Sequence, residues 1–208
     1  MKARARMWMA AAALAQVGLR AGAQNPGNAA QGVADAMNET GKITVSGHAT
    51  PYLIRRLPVS SFPQLPVAVQ AELNRRGCLI PQTYEAHAPE NVIEGSLARR
   101  GSKDWAVLCS EHGAVSLLVF FEGAAAQPYV LAAVPEVERL EAHGEDGTLG
   151  FDWGIDAATP EEVREAQVGI RNRPALRDHD AVAETVIDQW TVYYYFDGKN
   201  WRPLETRD

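Results

Sequence analysis

Chemistry at neutral pH needs a titratable base, a nucleophile or a metal set, so histidines and cysteines come first. The five histidines are His48, His87, His112, His143 and His179. None forms His-x-x-x-His or His-Glu-x-x-His, the spacings that put two ligands on one helical face. Two clusters are the most suggestive, Asp178-His179-Asp180 and His143-Gly144-Glu145-Asp146-Gly147. On an extended segment Asp178 and Asp180 point to one side and His179 to the other, so an orienting carboxylate must come from elsewhere. The glycine-flanked run at 143–147 can hold a cation weakly and reads equally well as a polar turn. No Gly-x-Ser-x-Gly elbow and no phosphate-cradling glycine loop occurs. The enzymatic reading is therefore a small exported hydrolase using His179 or His143 with nearby acids, with or without a metal. No motif implies a cofactor or a metal.

Cys78 and Cys109 are an even pair. In an exported chain the simplest state of such a pair is a disulfide, with two buried free thiols as the alternative. A redox dithiol needs close spacing such as Cys-x-x-Cys, which is absent. Aromatic side chains concentrate at Trp190, Tyr193, Tyr194, Tyr195 and Trp201. Alternation puts Trp190, Val192, Tyr194 and Phe196 on one face, read as core, and Tyr193 with Tyr195 on the other. The latter two either pack under the acidic segment or form a contact surface. That acidic segment is 136–165, where ten acids, among them Glu138, Glu141, Glu145 and Asp146, face only Arg139 and Arg164. Such a surface attracts basic partners, a basic protein or an envelope component, and its competing explanation is simple solubility.

The first 23 residues read as an address. Lys2, Arg4 and Arg6 precede an apolar run from Met7 to Leu19, and Ala21-Gly22-Ala23 supplies small residues for cleavage. This is the pattern of a secretory signal peptide, and the run is too short to span a bilayer. No cysteine follows the cleavage point and no arginine pair precedes the run, so lipidation and twin-arginine export are not expected. The whole chain of 208 residues has net charge −6; without the leader's four bases, 16 remain against 26 acids, about −10. An acidic exported chain is expected to be soluble, periplasmic or secreted, without a membrane span, and repelled by nucleic acid. Length and composition suit one domain with a real core, or at most two small ones.

The elements that would position these groups follow from periodicity. Residues 24–42, rich in Gln, Asn, Gly and Ala, read as a flexible tail, and 43–208 as a single domain. A short strand fits somewhere between Ile43 and Leu57. Pro66 starts a helix running to Arg76, with Gly77 to end it and Val69 and Leu73 on the buried face. From Asn91 the period becomes two, giving strands at Val92–Leu97, Asp104–Ser110, Ala114–Glu122 and Tyr129–Val134. Leu117 to Phe121 is apolar on both faces and is expected to be covered on both. Thr159-Pro160 with Glu162 is a capping box opening a short helix to about Val168. Asp197-Gly198 turns a closing hairpin between 190–196 and Trp201. The expected class is α+β: an antiparallel meander with a closing C-terminal hairpin and one packed N-terminal helix, in one sheet.

The stretch Gly95 to Val107 resembles the strand–loop–strand unit of FG-GAP (integrin-type) repeats, over about 15 residues and once only. Aligned on Gly101, the family's acidic calcium positions fall on Ser96, Ala98 and Arg100, and only Asp104 is acidic. The resemblance implies the hairpin without its calcium, which wants six to eight oxygens. Gly77 to Gln82, Asp104 to Ser110 and the Tyr-rich hairpin ending at Trp201 are similar to those of uncharacterised bacterial exported proteins. That likeness implies export and imports no activity. Together these readings favour a non-catalytic binding or interaction module over the hydrolase.

Overall fold

The computed structural model describes residues 37–143, 146–171, 173, 175 and 177–204. The leader at 1–23 and residues 24–36 of the expected tail lie outside the described residues. The end of that tail is a correction: Met37–Val45 is strand β1, paired antiparallel with the long strand β2, His48–Pro58. Ser46 and Gly47 turn between them at φ 49° and 83°, the two positive values that a two-residue hairpin turn requires. Almost all of β1 is exposed, so backbone pairing rather than apolar alternation holds it. Gly41 stands opposite Tyr52, and a Cβ there would meet the Tyr52 hydroxyl at 2.6 Å, so the ring covers the bare backbone.

The described strands form two sheets. The first contains β3 (Leu79–Gln82), β4 (Val92–Gly95), β5 (Asp104–Glu111), β6 (Ala114–Phe120), β7 (Tyr129–Pro135), β8 (Leu140–His143) and β9 (Thr148–Phe151) besides β1 and β2. Its order is β7-β6-β5-β3-β2-β9-β8, with β1 also on β2 and β4 also on β5. The second sheet is the antiparallel meander β10 (Trp153–Ala158), β11 (Ala181–Val186), β12 (Trp190–Phe196) and β13 (Trp201–Leu204). The class is mixed α+β and largely β. Two details differ from the single antiparallel sheet expected: β2 pairs β9 in parallel, and the closing hairpin belongs to the second sheet.

Period two decides the packing. On one face of the first sheet, Val107, Cys109, Leu118 and Phe120 bury against Phe62, Leu65, and Val69 and Leu73 of helix α1, Val67–Arg76. On the other face, Ala106, Leu108, Leu117 and Val119 meet Phe151, Trp153, Ile155 and Val182 from the boundary with the second sheet. Each fully buried large side chain contributes roughly 1.5–3 kcal/mol. β5 and β6 are thus covered on both sides, as the run from Leu117 requires. Cys78, just after the left-handed Gly77 that ends α1, is disulfide-bonded to Cys109 on β5, with Cα atoms 5.1 Å apart.

Two buried polar residues tie the pieces together. Asn91, held at φ 67°, donates to the carbonyls of Pro81 and Trp153 and accepts from the Ile155 N–H. It therefore joins the first sheet to the start of the second. Arg56 forms a buried ion pair with Glu136 and also donates to Ser110 Oγ and Glu39. Helix α2, Pro160–Ala166, carries the Thr159–Glu162 capping box and lays Val163 over the second sheet.

Candidate functional site

The loop between β3 and β4 is closed on itself before it reaches the site. The Gln82 side chain donates to the Glu90 carbonyl and accepts from the Glu90 N–H, while the Glu90 carboxylate accepts from the Thr83 N–H. Arg55, on β2, donates to the carbonyls of Thr83, Tyr84 and Ala86 at 2.5, 2.7 and 3.4 Å. The Tyr84 N–H donates to the Phe151 carbonyl at 2.9 Å. These bonds strap Tyr84 against the edge of the first sheet, where β8 and β9 bring His143 beneath it.

The Tyr84 and His143 rings stack at 3.1 Å between centroids with 10° between planes. Gly150 makes this approach possible, because a Cβ there would lie 2.7 Å from Tyr84 Cβ and 3.1 Å from His143 Cδ2. Leu53, Arg55, Thr148 and Leu149 complete an open cleft of about 350 Å³.

Three carboxylates outside the cleft lining act on the stack. Glu141 shares one face of β8 with His143, Glu85 accepts from the Tyr84 hydroxyl at 3.0 Å, and Asp188 sits in the β11–β12 turn. Burial lowers the His143 pKa against the opposing pull of Glu141, Glu85 and Asp188. Burial, then the hydrogen bond to Glu85, pushes Tyr84 up to about 12. Asp152 follows β9 and is 1% exposed. Its burial, reinforced by the charges of Glu141, Asp188 and Glu85, pushes its carboxyl up to about 6 against a hydrogen bond from the Ile187 N–H. Its Oδ1 is enclosed and has no hydrogen-bond partner among the described residues, as is His143 Nε2.

The sequence-derived candidates separate. His143 enters this cleft, but neither His143 nor His179 hydrogen-bonds a carboxylate among the described residues. The buried His179 ring instead contacts the Asp180 carbonyl at 3.1 Å, and the Asp180 carboxylate accepts from the Ser96 N–H. Tyr195 is 8% exposed and packs with Ala158, Val163 and Leu204 under α2, so of its two readings burial beneath the acidic segment applies. Tyr193 is partly buried and lines a separate recess with Asp156 and Glu162. Glu138 and Glu141 are exposed, and Asp146 is exposed while accepting from the Thr148 N–H and hydroxyl. Glu145 lies outside the described residues.

The acidic stretch is therefore not one surface, since Glu136 is buried against Arg56 and Asp152 is buried beside the cleft. In the hairpin at 95–107, Asp104 is fully buried and accepts from Ala98 N–H, Glu122 N–H and Ser102 Oγ. Its oxygens close the loop. The sulfurs of Cys78 and Cys109 lie near Glu111 but are committed to the disulfide, so they offer no thiolate to a metal.

Leu53, Arg55, Tyr84 and Asp152 were not distinguishable in the sequence as partners of His143. The one local hint was Gly150, a glycine inside a strand, which marks a close approach of another group. No helix among the described residues is long and apolar enough to cross a membrane. Comparison with protein-family models, curated proteins and solved structures finds no match.

Proposed function

We propose that this chain is a non-catalytic binding module of an oxidising compartment, periplasmic or secreted, whose contact site is the Tyr84–His143 cleft. The observation that carries the reading is the preformed cleft itself. Arg55 fixes the loop by three carbonyl bonds, Gly150 admits the stacked rings, and the lining is set before any ligand arrives. Preorganisation of this kind lowers the entropic cost of binding. Hydrolysis by a histidine base and a side-chain nucleophile needs the two within hydrogen-bond reach and the base held by an orienter. The cleft lining carries two hydroxyls, of which Thr148 hydrogen-bonds Asp146 and Tyr84 hydrogen-bonds Glu85, neither of them His143. The Cys78–Cys109 bridge supports an oxidising address, and the leader pattern at 1–23 supports export.

The test is amide chemical-shift mapping of the protein against a panel of peptides and oligosaccharides, alongside a panel of hydrolase substrates. We expect perturbations centred on Leu53, Tyr84, His143 and Thr148 that Tyr84→Ala removes, and no turnover. Turnover abolished by His143→Ala or His179→Ala would establish the hydrolase instead.

A further inference from the structure

We propose that the cleft receives a lysine or arginine side chain from a basic peptide segment of a partner protein, held between the Tyr84–His143 stack and the carboxylates of Glu85, Glu141 and Asp188. The inference rests on the binding reading above and specifies its ligand.

Three elements that are remote in sequence, the β3–β4 loop, β8 and the β11–β12 turn, each carry one exposed carboxylate whose charge acts on His143, and Glu85 of that loop also accepts from the Tyr84 hydroxyl. A surface carrying acids for solubility alone has no need to set three of them, from separate elements, about one histidine. Aromatic rings attract cations over their faces, and the attraction grows as water is displaced. Both rings are neutral at neutral pH, since burial holds His143 below its ordinary range and Tyr84 above its own.

A fourth carboxyl lies under the same charges. Asp152 is buried, Oδ1 is without a partner among the described residues, and Glu141, Asp188 and Glu85 all act on it. A buried carboxylate left half-satisfied among like charges is an unfavourable arrangement that an incoming cation relieves. Arg55 is the cation of the lining, and three backbone carbonyls already accept from its guanidinium. The occupant is a side chain rather than a bare metal ion. The acids are dispersed around the rings, and no group of three His, Cys, Asp or Glu ligand atoms converges there among the described residues.

The experiment titrates the protein with acetylated, amidated pentalysine, pentaglutamine and pentaglutamate, read by amide shifts and calorimetry. Pentalysine is expected to perturb Leu53, Tyr84, His143 and Thr148 saturably, and to bind about tenfold more weakly when salt rises from 0.05 to 0.5 M. Glu141→Gln with Asp188→Asn, both at exposed positions, is expected to weaken it about tenfold, while circular dichroism stays unchanged. Affinity should also fall as pH drops below about 6, where Asp152 takes up its proton; protonation of His143 acts in the same direction. Asp152→Asn isolates the buried carboxyl's share by flattening that pH profile. Pentaglutamine or pentaglutamate binding at the cleft without pentalysine would overturn the cationic ligand and leave the binding site standing. Pentalysine perturbing only the acids of α2, or perturbing nothing, would overturn the inference outright.

Discussion

Asp152, between β9 and β10, is almost fully buried, and burial disfavours a charged carboxylate. In the sequence it is one acid among ten between 136 and 165. In the fold it is buried with one oxygen unsatisfied and a carboxyl raised to about 6. The unfolded carboxyl titrates near 3.8, so the folded state binds the proton more tightly and is penalised once the group ionises. That penalty is absent below about 4 and complete above about 6. The distance between 3.8 and about 6 corresponds to roughly 2–3 kcal/mol. Asp152→Asn keeps an acceptor for the Ile187 N–H and removes the charge. It should therefore raise the denaturant midpoint at pH 7.5, with the gap to wild type closing between pH 6 and pH 4. An unchanged or lowered midpoint at pH 7.5 would show that Asp152 carries no such penalty. His143, by contrast, was visible as a candidate in the sequence, but its stacking partner was not. Local spacing holds no information about a ring delivered by a loop from another part of the chain.

At the scale of elements, what the sequence made legible was what burial patterns strongly. α1 appears because Pro66, Gly77 and the four-residue spacing of Val69 and Leu73 agree. β5, β6, β7 and the closing hairpin appear because alternation or double-sided apolarity marks them. β1 and β8 were not legible, since they lie at sheet edges with little buried surface and are held by hydrogen bonds to neighbours. The disulfide was inferred from parity and address, and the fold supplies its purpose. It ties the exit of α1 to β5 across a separation of 31 residues, closing the cluster of Phe62, Leu65, Leu73 and Phe120. By chain entropy such a loop is worth about 3–4 kcal/mol. The Cys78→Ala/Cys109→Ala double variant should lose about that much in equilibrium denaturation, and wild type with reductant should match it. A loss below about 1 kcal/mol in both would mean the α1 cluster is self-sufficient.

For the whole molecule, the division into two sheets and the parallel contact of β2 with β9 are long-range facts that periodicity does not encode. They have a direct consequence for the site. The β2–β9 contact, with registers Tyr52 to Leu149 and Leu53 to Gly150, sets Leu53 beside the one glycine that admits Tyr84 and His143. The crossing from β9 into β10 places Asp152 between the sheets' ends, close to the β11–β12 turn that contributes Asp188. The cleft is thus a joint product of β2, the β3–β4 loop, β8 and β9 rather than of any single element. The two histidines named from sequence test it within one molecule, because His143 lies in the cleft and His179 is buried against Asp180 and lies outside the cleft lining. The decisive measurement follows the imidazole Cε1–H resonances of both during a pentalysine titration at pH 7. The account predicts saturable movement of the His143 resonance with His179 unmoved, and loss of that movement in Tyr84→Ala. Movement of His179 alone, or of neither resonance, would contradict it.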